Sequence, residues 1–318
     1  MRTAETILNI IQDRGKRGLP LEDVYRQLFN PDLYLRAYGR IHSNYGAMTK
    51  GMTEETVDGM SMQKIQQIIE ALRFERYQWT PVRRVNIPKK NGKTRPLGIP
   101  TWSDKLLQEV MRLILEAYYE PQFSDSSHGF RPNRGCHTAL ITVRRLWSGT
   151  KWFIEGDIKG CFDNIDHEIL LSIIREGIHD NRFLKLLEGL FRAGYCEQWN
   201  FNPTYSGTPQ GGIISPLLAN IYLDKLDQFI VGTLIPEFTR GKERRINPVY
   251  NRLNVRYNEK LRREGWKATR EMRALRRTLP TKLTDDPCSD AYRRSDMRMI
   301  FFSASKVQRP KLKKSKSA

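Results

Sequence analysis

Apolar side chains recur at helical spacing through the first 80 residues of the chain. Two groups carry the pattern, namely Val24, Leu28, Leu33 and Leu35, and then Ile65, Ile68, Ile69 and Leu72. Between them lies a polar, glycine-rich segment, residues 44–51, which is expected to be flexible without a ligand. The pattern predicts a helical region over residues 1–80 with one loop inside it.

The pattern changes to alternation after residue 80. Val82, Val85 and Ile87 lie on one side of Asn91-Gly92, and Leu97 and Ile99 lie on the other. Because Asn-Gly tolerates positive φ, this arrangement predicts a β-hairpin. A helix is then predicted from a cap at Thr101 or Ser103 to a stop at Pro121.

Strands and helices also mix in the next hundred residues. Residues 151–158 predict a strand that ends near Asp157, and Asp166 is the predicted N-cap of a following helix, whose inward residues are expected to be Ile169, Leu170, Ile173 and Ile174. Another helix is predicted from Ser215-Pro216. Since no regular strand–helix–strand repeat is present, the predicted fold class is α+β.

The charge of the chain indicates a polyanionic partner. The 318 residues include 54 Lys and Arg against 35 Asp and Glu, a formal net charge of +19. A solvated basic surface, as in ribosomal or membrane-peripheral proteins, is the alternative. Much of the excess lies between Gly241 and Arg277, in a helical, arginine-rich stretch that could be a solvated insertion or an RNA-facing one. The excess of positive charge in this stretch favours RNA.

Cysteine use and hydropathy indicate the compartment. Cys136, Cys161, Cys196 and Cys288 are widely spaced, without the pairing that is typical of zinc sites. No apolar stretch reaches membrane-spanning length, and the N-terminus has no signal-peptide pattern. We therefore expect a cytoplasmic protein without a membrane partner.

Asp157 is the candidate for metal-dependent chemistry. Nucleotidyl transfer requires two divalent metals, about 4 Å apart, held by carboxylates at strand ends beside a cationic cradle. The segment Gly156–His167 supplies such a strand-end carboxylate in Asp157. An isolated Asp at a strand end is more often a turn or cap residue, so the surrounding sequence decides its interpretation.

That surrounding sequence resembles the first metal-binding motif of group II intron-encoded reverse transcriptase/maturases. Three further blocks resemble the same family in the same order: residues 81–100 its fingers hairpin, Ser127–Gly135 its second fingers block, and Gly207–Asn220 its palm block beside the incoming nucleotide. Residues 44–60 resemble the family's N-terminal extension. The resemblance extends to about residue 294.

The resemblance implies a domain organisation. It consists of a helical N-terminal extension (1–80), right-hand polymerase fingers (81–150), an incomplete palm (151–235) and a basic helical insertion (236–294). Residues 295–318 lie beyond the resemblance and are expected to form a disordered basic tail. The implied partners are group II intron RNA, an RNA template with a DNA primer, and a deoxynucleoside triphosphate. The oligomeric state stays open.

The resemblance also implies roles for single residues. Lys89 and Arg95 would grip the triphosphate, Phe162 would exclude a 2′-hydroxyl, and Gln210 and Gly211 would line the nucleotide pocket. Arg131, Lys50 and Asn133 would contact template or RNA, and Asp157 with the Ile158 carbonyl would bind Mg²⁺. The alternatives are a solvated hairpin tip, a core position for Phe162, and an ion pair within the fingers for Arg131.

The family's second carboxylate motif, Tyr-Ala-Asp-Asp, is absent from the sequence where it is expected. Residues 295–302 read Ser-Asp-Met-Arg-Met-Ile-Phe-Phe, which can be encoded so that the frame one nucleotide earlier spells Val-Arg-Tyr-Ala-Asp-Asp-Phe-Leu. The codons of residues 307–316 can likewise be chosen so that the neighbouring frame spells an acidic, helix-forming sequence. The hypothesis is a frameshift near Arg294, which makes residues 295–318 an out-of-frame peptide.

Two functions follow from this hypothesis. The resemblance implies an RNA-directed DNA polymerase, which is expected to be truncated and inactive as it stands because half of its catalytic carboxylates are missing. The alternative is a catalytically dead fragment that retains maturase-like affinity for intron RNA. A salt-dependent RNA gel shift without nucleotide incorporation separates the two.

Overall fold

The computed structural model describes most of the chain. The described residues are 2–44, 46–88, 92, 94–146, 152–158, 160–198, 200–204, 206–207, 211–238, 245–283 and 297–302; for 152–155, 157, 238 and 297–302 only the backbone is described. These residues form two compact units, one within 1–141 and 156–228 together with 301–302, the other within 142–155 and 229–300.

Helices make up most of the first unit. They are α1 (Ala4–Lys16), α2 (Val24–Gln27), α3 (Pro31–Ile41), α4 (Met62–Arg73), α5 (Trp102–Tyr119), α6 (Cys136–Leu146), α7 (His167–Gly177), α8 (Asn181–Arg192) and α9 (Ser215–Phe229), of which α6 and α9 end on residues of the second unit. Short 3-10 helices cover Val57–Gly59 and Cys161–Asp163. Local signals set several helix starts, since the side chains of Thr101 and Asp166 accept hydrogen bonds from backbone amides three residues on, as predicted.

The strands lie in two sheets. They are β1 (Val82–Pro88), β2 (Thr94–Ile99), β3 (Trp152–Asp157), β4 (Tyr195–Glu197), β5 (Asn200–Asn202) and β6 (Met297–Phe302). One sheet has the order β2-β1-β4-β5, and β3 pairs with β6 in the other. The predicted hairpin is confirmed, because β1 and β2 pair antiparallel from Arg83↔Ile99 to Pro88↔Thr94, and Gly92 has φ 76°. The mixture of elements confirms the α+β class.

Helix α5 runs through the core of the first unit. It packs against α1 and α3, and both its apolar residues and the polar residues Asp104, Lys105, Gln108 and Glu109 are buried. Each of these polar side chains has partners, as buried polar groups require. Glu109, for example, receives two hydrogen bonds from Arg112 at 2.7 and 2.8 Å.

Some sequence expectations about exposure are wrong. Ile169, which was predicted to face inward, is 49% exposed and does not face the core. The segment from Asn44 to Gly51 is held rather than free: the buried Lys105 ammonium donates to the carbonyls of Gly46 and Thr49 at 3.2 and 2.9 Å. The glycines predict that this segment is flexible, but the Lys105 side chain that holds it lies far away in the sequence.

The second unit contains a π-helix at Ile230–Leu234, α10 (Ile235–Phe238), α11 (Pro248–Ala268) and α12 (Arg270–Thr278). Helices α11 and α12 confirm the helical prediction for the arginine-rich stretch. The expected disorder of the tail is wrong for residues 297–302, which form β6; the Met-Ile-Phe-Phe run suits a strand. Residues 303–318 lie outside the described residues. Among the helices that the structure describes, none is long and apolar enough to span a membrane.

Candidate active site

Gly207 lies against the turn that follows the strand of Asp157. Its amide donates to the Ile165 carbonyl at 2.7 Å, and its own carbonyl accepts from His167 Nε2 at 2.6 Å. Its φ is 85°, and an added Cβ would come within 2.7 Å of the Phe162 carbonyl oxygen. Glycine is required here because the two backbone segments touch.

Gly211 lies against the hairpin. Its φ is 114°, and an added Cβ would overlap the Gly98 carbonyl oxygen on β2 and lie 2.9 Å from the Leu97 side chain. Two residues on, the Ile213 amide donates to the buried Gln108 Oε1 at 2.9 Å. The segment that starts at Gly211 is thus fixed between β2 and α5.

These two glycines connect the three motifs that carry the predicted site. Gly207 contacts the turn after Asp157 and Gly211 contacts the hairpin, and only residues 208–210 separate the two glycines in sequence. Gln210 and Lys89 lie outside the described residues, and Asp157 is described by its backbone alone. Exposed Arg95 lies on β2 opposite Ile87.

Phe162 lies in the short 3-10 helix after β3 and is 8% exposed. Its ring contacts that of Phe130 edge-on, at a centroid distance of 6.3 Å. Phe130 is half-exposed with φ 55°, a left-handed conformation that is uncommon outside glycine. The contact joins the second fingers block to the strand-end motif, while the sugar-selecting role of Phe162 stays a prediction.

Arg131 holds the second fingers block together. Its side chain is 4% exposed, and its guanidinium pairs with the Glu120 carboxylate at 2.9 Å. It also donates to the carbonyls of Ser124 and Ser127 at 2.6 and 2.9 Å. The structure therefore favours the ion-pair alternative, and the predicted template contact of Arg131 is not supported, because its donors face inward.

Lys50 and Asn133 are at the surface. The Lys50 ammonium pairs with Glu54, and the Lys50 carbonyl accepts from Arg83 Nη2 on β1 at 2.7 Å. Asn133 is exposed with φ 58°. Both positions are accessible, so their contact with RNA stays a prediction.

The donor set for a metal is small. Sequence assigns one carboxylate, Asp157, and one carbonyl, Ile158, whereas Mg²⁺ prefers about six oxygen ligands in octahedral geometry. No three His, Cys, Asp or Glu side chains gather into a possible metal site among the side chains that the structure describes. The residues assigned so far do not complete a cage for this ion.

Burial perturbs two acidic residues on α9, Asp224 and Asp227, which also interact electrostatically with Arg131. Burial and the nearby Asp224 carboxylate raise the pKa of Asp227 to about 6, while Arg131 acts in the opposite direction. Burial also raises the pKa of Asp224, against the hydrogen bond from Gln228 at 2.6 Å. The folded state therefore binds a proton at Asp227 more tightly than the unfolded chain does.

Replacing Asp227 by Asn is expected to stabilise the protein at neutral pH. A raised folded-state pKa lowers stability as pH rises from about 4 to 6, and the penalty is full above 6. Because Asp227 is partly solvated, the gain in the free energy of unfolding at pH 7.5 should be only about 1 kcal/mol. This gain should vanish near pH 4. Urea unfolding at both pH values measures it. Asp125→Asn is the control and should lower stability at pH 7.5, because Arg134 lowers the pKa of Asp125. A gain in stability from Asp227→Asn that is equal at both pH values would contradict the assignment.

Sequence reasoning missed the positioning role of α5. Gln108 holds the Ile213 amide, and Asp104 accepts from Tyr77 Oη at 2.7 Å and from the Thr80 amide at 3.2 Å, just before β1. Their spacing along the helix resembles an ordinary solvated face. No signal in the sequence distinguishes such a face from a buried polar one.

Comparison with known proteins identifies the class. The family model for reverse transcriptase (RNA-dependent DNA polymerase) matches residues 87–237, which include the hairpin, the strand-end motif and the glycine-rich block. The chain belongs to the reverse transcriptase family. Within that family it is of the group II intron reverse transcriptase/maturase type, as its relatives show.

Three relatives illustrate the similarity. The chain is 50% identical over 266 residues to the group II intron-encoded protein LtrA of Lactococcus lactis, covering 81% of this chain and 44% of that protein. It is 44% identical over 234 residues to an uncharacterized 91 kDa protein in the cob intron of Schizosaccharomyces pombe, covering 71% and 29%. It is 36% identical over 262 residues to protein YkfC of Escherichia coli, covering 78% and 66%. The chain thus spans less than half of the intron-encoded relatives.

Proposed function

We propose that this chain forms the nucleotide-binding part of an RNA-directed DNA polymerase encoded by a group II intron. The observation that carries the proposal is the pair of backbone contacts at Gly207 and Gly211, which places the turn after Asp157 and the hairpin at the two ends of one short segment. Family membership supports the same reaction class. The proposed partners are intron RNA, a primed RNA template and a deoxynucleoside triphosphate, in a reducing cytoplasm.

In this proposal the chain's own residues bind and orient the nucleotide. Lys89 and Arg95 hold the triphosphate oxygens, since an ammonium and a guanidinium both suit phosphate. Gln210 and the backbone at Gly211 line the base and sugar, and Phe162 lies under the sugar. Divalent metal would steady the triphosphate when bound, with Asp157 and the Ile158 carbonyl as its ligands, but this donor set is incomplete.

We further propose that the chain does not polymerise as it stands. β6 is the strand paired with β3, which ends at Asp157, yet residues 297–302 contain no carboxylate. A frameshift after Arg294 accounts for that composition. The second candidate function, RNA binding without catalysis, is favoured by the net charge of +19 and would give a gel shift that weakens with salt.

Substitutions in the hairpin test nucleotide binding without requiring catalysis. Lys89→Ala and Arg95→Ala are each expected to weaken deoxynucleoside triphosphate binding by about tenfold to a hundredfold, because each removes a charge-assisted hydrogen bond worth about 1.5–3 kcal/mol. Isothermal titration with the whole chain measures the affinity. Arg84→Gln is the matched control, because Arg84 lies on β1 with its guanidinium 4.1 Å over the Tyr195 ring.

The control decides the interpretation. Unchanged affinity in Lys89→Ala and Arg95→Ala would remove the phosphate-gripping role and leave a solvated hairpin tip. If all three variants lost the same nucleotide affinity, the cause would instead be the overall charge of the hairpin.

A further inference from the structure

The corner between α11 and α12 has a defined conformation. Gly265, with φ 80° and ψ −176°, breaks the helical path just before Trp266. The Trp266 carbonyl then accepts two hydrogen bonds, from Thr269 Oγ1 at 2.9 Å and from Arg273 Nη2 at 2.8 Å. Thr269 is fully buried. These contacts fix the backbone that carries the Trp266 side chain.

Trp266 presents an open aromatic face at this corner. The Arg273 guanidinium lies over its ring, 3.2 Å from the centroid, yet the residue is 61% exposed. Because the guanidinium covers one face, such a large exposure means that the other face is open to solvent. Tryptophan is seldom left so exposed in a folded protein.

A second arginine–aromatic pair in the same helices shows the contrast. Arg276 lies 4.3 Å over the ring of Tyr257, donates to Asn254 Oδ1 at 2.9 Å, and leaves Tyr257 only 4% exposed. That pair joins α11 to α12 in the interior of the helix pair. The Trp266–Arg273 pair leaves its ring available, so packing of the two helices does not account for it.

The surface around Trp266 is strongly basic. Residues 248–278 contain ten Lys and Arg against three Glu, and the neighbours Arg262, Arg263, Lys267 and Arg270 are all exposed. This charge attracts a polyanion. It also repels a second copy of the same surface, which argues against self-association through Trp266.

We propose that Trp266, backed by Arg273, is a stacking platform for an unpaired nucleobase of a bound nucleic acid strand. The surrounding arginines and lysines hold the flanking phosphates. A base has a π-face whatever its sequence, and a cation on the rear face of the indole adds to the attraction. The inference draws its partner class from the proposed function but needs no polymerase chemistry, so an inactive chain can still confirm it.

Binding to matched nucleic acids tests the platform. Fluorescence anisotropy of the whole chain is measured with a labelled unstructured RNA, with a DNA of the same sequence, and with a fully paired RNA hairpin. Trp266→Ala is expected to weaken single-strand binding about tenfold and duplex binding by less than about twofold, because stacking contributes about 1–3 kcal/mol per unpaired base. Trp266→Phe should retain most of the affinity. Equal losses of affinity for the RNA and the DNA strand in Trp266→Ala would support stacking, because a stacked ring does not distinguish ribose from deoxyribose.

Leu275→Ala is the control, because Leu275 is an exposed apolar residue on α12 without a ring. It should leave all three affinities unchanged. Circular dichroism of each variant verifies that the helices remain. The proposal is overturned if Trp266→Ala binds single strands normally, loses single-strand and duplex affinity equally, or changes only the oligomeric state. None of these outcomes depends on nucleotide incorporation, so failure here is distinct from failure of the proposed polymerase.

Discussion

Restoring the reading frame after Arg294 by one nucleotide is expected to yield a protein that extends a DNA primer on an RNA template, whereas the present chain gives no product above background. Under the frameshift hypothesis, the restored frame spells Tyr-Ala-Asp-Asp in place of residues 297–300. It would then add the acidic pair that Asp157 lacks. Metal-held charge stabilisation contributes several kcal/mol, and each 1.36 kcal/mol is tenfold, so the difference should be on the order of a thousandfold or more. Incorporation of labelled nucleotide measures it.

The control for this experiment is Asp157→Asn in the frame-restored protein. It should abolish synthesis again, because the first carboxylate is then missing from the same site. Measurable synthesis by the present chain would contradict the proposed inactivity. Native codons that cannot encode the acidic pair in the neighbouring frame would rule out the frameshift.

Replacing Arg131 by Met is expected to lower the free energy of unfolding by about 3 kcal/mol, because Arg131 is buried and its loss leaves the partly buried Glu120 carboxylate without a charge partner. Glu120 would lose its partner, and the carbonyls of Ser124 and Ser127 would lose donors. Urea unfolding at neutral pH measures the change. Arg134→Met is the matched control three residues away, where the partner Asp125 is fully exposed, and it should change stability by less than about 1 kcal/mol.

RNA affinity separates the two roles considered for Arg131. At a temperature where the Arg131→Met protein is folded, its affinity for RNA should equal that of the parent protein. If stability is instead unchanged and RNA binding weakens, Arg131 contacts template and the ion pair with Glu120 is incidental.

Features set by local sequence were predicted well. Asn91-Gly92 between alternating apolar residues predicted the hairpin, and Thr101 and Asp166 were recognised as caps because capping depends on residues within one turn. The strand that ends at Asp157 was predicted for the same reason.

Features set by distant partners were not predictable. Ile169 has the spacing of a core residue but faces solvent, and the glycine-rich segment before Gly51 is ordered by Lys105, more than fifty residues away. The frameshift hypothesis predicts an out-of-frame, disordered tail from residue 295, whereas residues 297–302 pair with β3 as the strand β6. Such outcomes depend on tertiary contacts that periodicity does not encode.

The candidate site was predictable in part. Motif order predicts that Phe162 and Gly211 belong to one nucleotide site, and this role stays a prediction. The backbone contacts show only that the turn after β3 meets Gly207 and that β2 meets Gly211. The inward-facing guanidinium of Arg131 could not be inferred, because a fingers arginine that pairs with Glu120 has the same sequence signature as one that contacts template.

The polar side chains of α5 link distant parts of the first unit through one helix. Lys105 holds the segment before Gly51, Asp104 holds the chain that enters β1, and Gln108 holds the segment that follows Gly211. The position of each of these segments therefore depends on the same helix, α5. They should therefore lose order together, as a single cooperative unit, rather than fray one by one.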